Sequence, residues 1–432
     1  MKKIRIGLIG LGTVGTGFAK ALARNGPVIR QRFGIDLDLA LVAEKNRRAG
    51  REAPIPPSRR VRDAARLVRD PEIDIVVELI GGCGAAKRLI AEALRRGKHV
   101  VTANKALLAE HGRELFGIAQ ERGADLYYEA SVCGAIPIVR ALREGLASTR
   151  VASIFGIVNG TCNYILSRMT GSGIDFRAAL REAQRLGYAE ADPALDIDGT
   201  DSAHKLAILA TLASGSWVPL GAVYVEGIRR ISAIDIRFAK EFGYVIKLLA
   251  IYKQRAGQVE ARVHPTLIPA SHLLSSVGEA FNAVCVEGWP AGEIVLYGRG
   301  AGQAPTASAV LGDVIDIARN IGRGCCGRVP PVAARVGAPR VRPVEEIETQ
   351  YYLRFSVVDR PGVLARITGI LGRQGISIAS VLQTERRIGG VVPVVLMTHR
   401  SREGNVRRAI ARIDRLADVR DRTVLLRVEE KV

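Results

Sequence analysis

The sequence is short of cysteine, of aromatic residues and of long apolar runs, and each shortage removes a class of protein. Six cysteines in 432 residues, with no C-x-x-C spacing and one adjacent pair at Cys325-Cys326, supply neither a zinc ligand set nor a disulfide framework. Free, buried thiols are the expected state. Aromatic residues make up 5% of the chain and no basic block is interleaved with them, so the formal charge of +20 lacks the stacking partners of a nucleic-acid surface. The basic residues are spread over the whole length, which reads as a mild surface excess. No apolar segment reaches the roughly 20 residues that span a bilayer. The Met1-Lys2-Lys3 start leads into a short strand-like run, without the apolar core of a signal peptide. The expectation is a cytoplasmic protein with neither nucleic acid nor membrane as partner. At 48% hydrophobic and 25% charged residues, a chain of this length suggests a soluble protein of two or three domains.

What is abundant is carboxylate in one place. Gly187 to Lys205, GYAEADPALDIDGTDSAHK, holds Glu190, Asp192, Asp196, Asp198 and Asp201 in an irregular run that turns into the apolar stretch KLAILATLA. A helix begun at Asp198 or Thr200 puts Asp201 and Lys205 one turn apart on the same face. The helix's positive end favours the neutral lysine and the acids favour the charged one, so its proton affinity is under opposing control.

In chain order, KIRIGLI reads as a buried strand, followed by the loop Gly10, Gly12, Thr13, Val14, Gly15 and the helical run TGFAKALARNG. Strand, G-x-G-x-x-G and helix in this order point to dinucleotide binding. The next strand, Asp36 to Ala43, ends on Glu44, Lys45, Asn46, Arg47 and Arg48. Glu44 could hold ribose hydroxyls, as for NAD, while Lys45 and Arg47 could hold a 2'-phosphate, as for NADP. Alternation of strands and helices continues to about residue 128, the rhythm of a Rossmann-type doubly wound α/β sheet. Gly81-Gly82 and the Thr102 to Lys105 run fall at strand ends, where ligands of such sheets bind. Asn159-Gly160-Thr161 marks a turn before a helix, with Thr161 or Asn163 as candidate caps. Between about 215 and 295, alternating strands suggest a second sheet open on one face, where a dimer partner could cover it. Gly300 and Gly302 then form a second glycine loop before a long helix, as if the chain returned to the cofactor. Residues 336–349 read as a linker. The tail has the strand and helix order of a ferredoxin-like domain.

Taken together, GLIGLGTVG, VVTANKALLA, EASVCGAIPI, GIVNGTCNYIL, GYAEADPALDIDGTDSAHKLAILA and YGRGAGQAPTASAVLGDV resemble homoserine dehydrogenases, and DRPGVLARITGILGRQGISIASV resembles an ACT domain. The resemblance covers essentially the whole chain. It implies a dinucleotide-binding domain at 1–128 with a return at about 304–335, an α+β catalytic and dimerisation domain at 129–303, and an ACT regulatory domain at 350–432. The implied activity is the NAD(P)-dependent interconversion of L-homoserine and L-aspartate 4-semialdehyde, in threonine, methionine and isoleucine biosynthesis. Lys205 matches the proton donor and Lys105 the second lysine, which meets cofactor and substrate. Glu190 and Asp201 match substrate-binding acids, supported by Asp196. Gly10, Gly12, Thr13, Val14, Gly15, Lys45, Arg47, Gly81, Lys105, Asn159 and Gly302 fall on the cofactor side. A sodium site of backbone carbonyls would fall on Glu129, Val132, Gly134 and Ile136. Threonine is the implied effector, and a homodimer or homotetramer the implied assembly. A chain ending near Pro343 is expected to stay active and to lose the effector response. The competing readings are an aspartate-semialdehyde dehydrogenase, which needs a nucleophilic cysteine such as Cys133 or Cys162, and a non-catalytic amino-acid sensor.

Overall fold

The structure is a computed structural model that describes residues 3–46, 49–50, 52–332, 339–383 and 389–431. The chain folds as two compact units, each gathered from three stretches. The first comprises Met1–Ile154, Asp201–Gly221 and Phe281–Pro339, and the second Phe155–Thr200, Ala222–Ala280 and Arg340–Val432. This partition cuts across the consecutive segments expected from the sequence, because the chain leaves the first unit along the strand Arg150–Ile157 and returns at the helix Thr200–Ser214.

In the first unit, six parallel strands run in the spatial order Arg60–Val61, Asp36–Ala43, Lys3–Ile9, Ile75–Glu78, His99–Thr102, Leu126–Tyr127. That is the doubly wound order, with its reversal point between Lys3–Ile9 and Ile75–Glu78. The first helix is Thr13–Phe33, longer than the expected run: it passes through Pro27, brings Ile29 into the same core as Phe18 and Leu22, and stops at Gly34 in the left-handed region (φ 67). Across from it, Ala307, Val310, Leu311, Val314 and Ile317 of the helix Gln303–Arg323 fill the same core. The sheet's second glycine loop is therefore delivered by a helix that the sheet needs for packing. The hairpin Phe281–Trp289 and Gly292–Arg299 completes the unit.

In the second unit, Tyr244–Arg255 and Gln258–Pro269 form an antiparallel hairpin turned by Ala256 and Gly257, both at positive φ, as a two-residue hairpin turn requires. The open-faced sheet expected here is not what forms in this hairpin: Ala261 through Ile268 are buried without interruption. Its alternating polar residues make an internal layer, in which Arg262 meets His264 and Glu429, and Thr266 meets His264. Gly292–Arg299, in the first unit, does keep an exposed face, with Glu293 and Tyr297 outward.

The tail has strand order Val424–Val428, Glu348–Val358, Val391–Thr398, Ile378–Leu382, with helices Val363–Arg373 and Glu403–Ile413 packed on a common core. This is the ferredoxin-like arrangement. Part of the expected linker is ordered structure instead. Arg340–Val341 pairs in parallel with Gln258 and Val259, and Arg342 donates to Gln258 and Glu260. Residues 336–338 lie outside the described residues. The strand Val424–Val428 then pairs with Thr266 and Leu267, so the tail continues the hairpin's sheet. Among the described residues, no helix is long and apolar enough to cross a membrane.

Candidate active site

The carboxyl ends of the parallel strands carry the glycine loop. A Cβ on Gly10 would lie 2.8 Å from the Leu79 carbonyl oxygen, and one on Gly15 would lie 2.0 Å from that of Gly10. Packing forces both to be glycine. A Cβ on Gly12 would meet nothing within 4 Å, and the helix that Thr13 and Val14 begin has no side-chain cap. Uncapped amides beside open space suit a pyrophosphate. The second glycine loop comes to this place: Gly302 (φ 118) opens the helix Gln303–Arg323, and Gln303 Nε2 donates to the Thr13 carbonyl at 3.1 Å.

Glu44 is engaged with backbone. Its carboxylate accepts the amides of Leu11 at 2.7 Å and Asn46 at 2.8 Å, which ties the end of the second strand to the glycine loop. Lys45 is exposed beside it, and Arg47 lies outside the described residues.

A hub that the sequence reading did not single out organises the other strand ends. Glu78, fully buried, accepts the amides of Ile80 and Gly81 at 2.9 and 3.1 Å and the Thr102 hydroxyl at 2.6 Å. Burial pushes its carboxyl up from the usual range, against the pull of these donors. Thr102 Oγ1 in turn accepts the Asn104 amide, while Asn104 caps the next helix through Leu107 and donates to the Gly82 carbonyl at 2.7 Å. Lys105 is the first residue of that helix. The signal in the sequence was an acid inside the apolar run DIVVELI.

Lys105 Nζ lies 3.2 Å from Asp201 Oδ1, and Lys205 Nζ lies 2.6 Å from Asp201 Oδ2. One carboxylate thus bridges two lysines brought from the end of a strand and from the first turns of the helix Thr200–Ser214. Asp201 and Lys205 are about a tenth exposed and Lys105 more than a third. Burial also lowers the proton affinity of the adjacent His204. Cys133 is buried and its thiol is pushed up to about 11 by desolvation. A thiol held protonated does not serve as a nucleophile.

In the second unit the cap before the helix Gly160–Ser172 is Asn159, not Thr161 or Asn163. Its Oδ1 accepts the Cys162 amide and its Nδ2 donates to Asp196 at 2.7 Å. Thr161 instead donates to the Tyr188 carbonyl, and Asn163 to those of Val277, Gly278 and Glu279, because Asn159 alone precedes the helix in extended conformation. Glu190 is exposed.

Back in the first unit, the turn Glu129 to Ile136 carries Cys133 (φ 56) and Gly134 (φ 55). The carbonyls of Glu129 and Ile136 accept the amides of Val132 and Ile138 at 3.3 and 2.8 Å. The Glu129 side chain accepts the amides of Val139 and Arg140, and its own amide donates to Asp313. Asp313 is buried and its carboxyl is pushed up to about 8 by desolvation and by the charge of Glu129. Arg140 relieves this little, since it stands 2.6 Å from Asp316 and 3.5 Å from Asp313. The folded state keeps a proton that the unfolded state loses above about 3.8, so this carboxyl makes stability fall as pH rises from there to about 8. Asp313→Asn is expected to flatten that slope in urea unfolding measured from pH 5 to 8. Equal slopes in the two proteins would place the proton elsewhere.

Family models match three segments: a homoserine dehydrogenase NAD-binding domain at residues 10–129, a homoserine dehydrogenase domain at 137–315, and an ACT domain at 351–418. The homoserine dehydrogenase of Neisseria gonorrhoeae is 44% identical over 432 residues, 99% of each chain, and that of Pseudomonas aeruginosa 43% over 434 residues, 100% of each. A solved homoserine dehydrogenase from Thiobacillus denitrificans superposes with a TM-score of 0.94 at 45% identity, covering 100% of this chain and 99% of its own. A hyperthermophilic archaeal homoserine dehydrogenase solved with NADPH matches 74% of this chain and 98% of its own, at 27% identity and a TM-score of 0.64. These matches favour neither an aspartate-semialdehyde dehydrogenase nor a sensor without activity. Identity above 40% that runs from one end of the chain to the other makes it a member of the homoserine dehydrogenase family, an NAD(P)-dependent oxidoreductase acting on a CH–OH group.

Proposed function

We propose that Lys205 exchanges the proton of the reacting oxygen as L-homoserine and L-aspartate 4-semialdehyde interconvert, and that Lys105 orients that oxygen against the cofactor. The observation that carries this reading is Asp201, whose two carboxylate oxygens each hold one lysine, at 3.2 and 2.6 Å. NAD(P), when bound, takes a hydride from the alcohol carbon or returns it to the carbonyl carbon. The protein's part is positional and protonic. In oxidation a neutral Lys205 removes the hydroxyl proton; in reduction its ammonium returns one and stabilises the developing alkoxide. Asp201 fixes the ammonium's direction and favours its charged form, and the surrounding burial opposes that.

Glu190, supported by Asp196, is assigned to the substrate's ammonium. Glu190 is exposed and has no part in a core, so its removal should leave the fold intact. Glu190→Ala is expected to raise the KM for homoserine about tenfold or more, the loss of one charge-assisted contact, with kcat changed less. An unchanged KM would remove the residue from the substrate site.

Cofactor contacts are assigned to Gly10, Gly12, Thr13, Val14, Gly15, Gly81, Lys105, Asn159 and Gly302, with Lys45 and Arg47 on the ribose side. Both oxygens of Glu44 are turned onto backbone amides, which supports NADP as the better cofactor, with NAD accepted. The turn at Cys133 and Gly134 supports a sodium ion held by the carbonyls of Glu129, Val132, Gly134 and Ile136; each carbonyl that already accepts an amide keeps a second lone pair. The ion would stiffen the turn. The segments matched at 10–129, 137–315 and 351–418 support the domain reading of dinucleotide, catalytic and regulatory parts. We also assign a homodimer or homotetramer, a cytoplasmic site of action, and threonine as the amino acid sensed by the ACT domain. Nicotinamide absorbance with homoserine and either cofactor, in sodium or choline chloride, with and without threonine, tests these assignments together. Faster turnover with NAD, indifference to sodium, or indifference to threonine would each remove the corresponding one.

A further inference from the structure

A cleft of about 900 Å³ lies inside the second unit, between the Tyr224–Ile231 segment and the last helix and strand of the tail. Its floor is a closed ion-pair network. Arg427, 1% exposed, donates to Glu403 at 2.7 Å, to Glu226 at 3.0 Å and to the Tyr224 hydroxyl at 3.2 Å. Arg407 reaches the same hydroxyl at 2.6 Å and Glu403 at 2.8 Å, and Tyr224 donates to Glu226 at 2.9 Å.

The rim is different. Five arginines line the cleft against three carboxylates, and buried Glu403 behind the floor makes a fourth, so one positive charge is left over. Arg230 and Arg422 are exposed and form no ion pair among the described residues. Ile231, Ile410 and Leu425 supply apolar lining. Two exposed guanidiniums in a cleft that also has apolar lining fit a carboxylate on a hydrocarbon body.

The same segment touches the acidic loop. The Ile228 amide donates to the Ile197 carbonyl at 2.8 Å, and a Cβ on Gly227 would lie 2.1 Å from that oxygen. Arg229 is ion-paired with Asp198. Asp196, one residue before Ile197, holds Asn159. A backbone hydrogen bond, a glycine contact too close for a side chain and an ion pair thus join the two segments, which couples a shift of Tyr224 to Gly227 to the loop.

We propose that the cleft binds a small monocarboxylate of amino-acid size, and that its occupancy changes homoserine binding through Tyr224, Gly227 and the Asp196 loop. The proposal rests on the reading of the tail as regulatory and of Asp196 as part of the substrate site, and adds a place and a route. The ligand's carboxylate seats on Arg230 and Arg422, and its apolar body displaces water from the apolar lining.

The test is calorimetric titration of the full-length protein with 3-methylbutanoate and with L-valine, against matched sodium chloride, together with the KM for homoserine at each probe concentration. At least one probe is expected to bind with a Kd of about 1 mM or tighter and to shift that KM twofold or more. Binding of 3-methylbutanoate marks a plain acid as the ligand type, and binding of L-valine alone marks an amino acid. The double variant R230A/R422A, on the rim and outside the catalytic set, is expected to keep basal activity and to weaken binding at least tenfold. Tyr224→Phe is expected to bind the probe and to lose most of the KM shift. Absence of heat with both probes, or equal affinity in the double variant, overturns the site. A KM shift that persists in full in Tyr224→Phe overturns the route. Threonine inhibition that persists in the double variant while probe binding is lost leaves the regulatory reading standing and overturns the cleft as the effector's place.

Discussion

Lys205→Ala is expected to lower kcat by about 10²–10⁴-fold, the usual range for a positioned acid–base group, while the Kd for NADP changes less than twofold. The two effects separate because of where the residue stands. Lys205 belongs to the second turn of the helix Thr200–Ser214 and its ammonium is held by Asp201, whereas pyrophosphate binding is assigned to the amides that follow Gly12. Removing the side chain leaves Asp201 paired with Lys105 at 3.2 Å, so no buried acid is orphaned and the fold should survive. Lys205→Arg is the second arm. It keeps the charge but holds its proton at any working pH, so it should be nearly as slow in homoserine oxidation. Stopped-flow reduction and fluorescence titration of the cofactor read the two quantities. A parallel loss of both would give the lysine a structural role.

A chain ended at Pro343 is expected not to accumulate as folded protein, the reverse of what the sequence suggested. Within the second unit the tail is part of the core. Arg262, 3% exposed, is paired with Glu429 at 2.5 Å, and Lys253 reaches the same carboxylate at 2.6 Å. Asp235, fully buried, receives Arg354 at 2.7 Å and the Tyr352 hydroxyl at 3.0 Å. Truncation strips both sets. With these ion pairs gone and the surface they covered left to solvent, the loss is a sizeable share of a typical total stability of about 5–15 kcal/mol. The edge of Gln258–Pro269 at Thr266 and Leu267 would also lose its strand partner. Soluble yield and far-UV circular dichroism of the fragment decide the matter. A cooperative melt together with homoserine oxidation would show that the second unit holds without its tail.

The strand and helix rhythm of the dinucleotide sheet was legible because each strand is a short apolar run and each turn is marked by glycine or asparagine. Asp201 and Lys205 were legible as neighbours because a helix brings residues four apart together. Contacts over long separations were not. Glu78 meets Thr102 across 24 residues and looked like the polar end of an apolar strand. Arg262, His264 and Thr266 alternate with apolar residues as an exposed face would, and only the pairing partners show the layer to be internal. Arg340 and Val341, among prolines and charges, have no strand pattern; the pairing with Gln258 and Val259 makes the strand. Glu44 reads in the sequence as a candidate sugar ligand, and its bonds to Leu11 and Asn46 depend on the loop coming back beside it.

The helix Gln303–Arg323 fills the core beside Thr13–Phe33, which has a consequence for how the protein is born. At about 5–20 residues per second, the first helix leaves the ribosome roughly 15–60 s before the helix that covers it. For that interval Phe18, Leu22 and Ile29 lack the helix that covers them. The dinucleotide sheet, although its first strand leads the sequence, waits for its covering helix until about three quarters of the chain has been made.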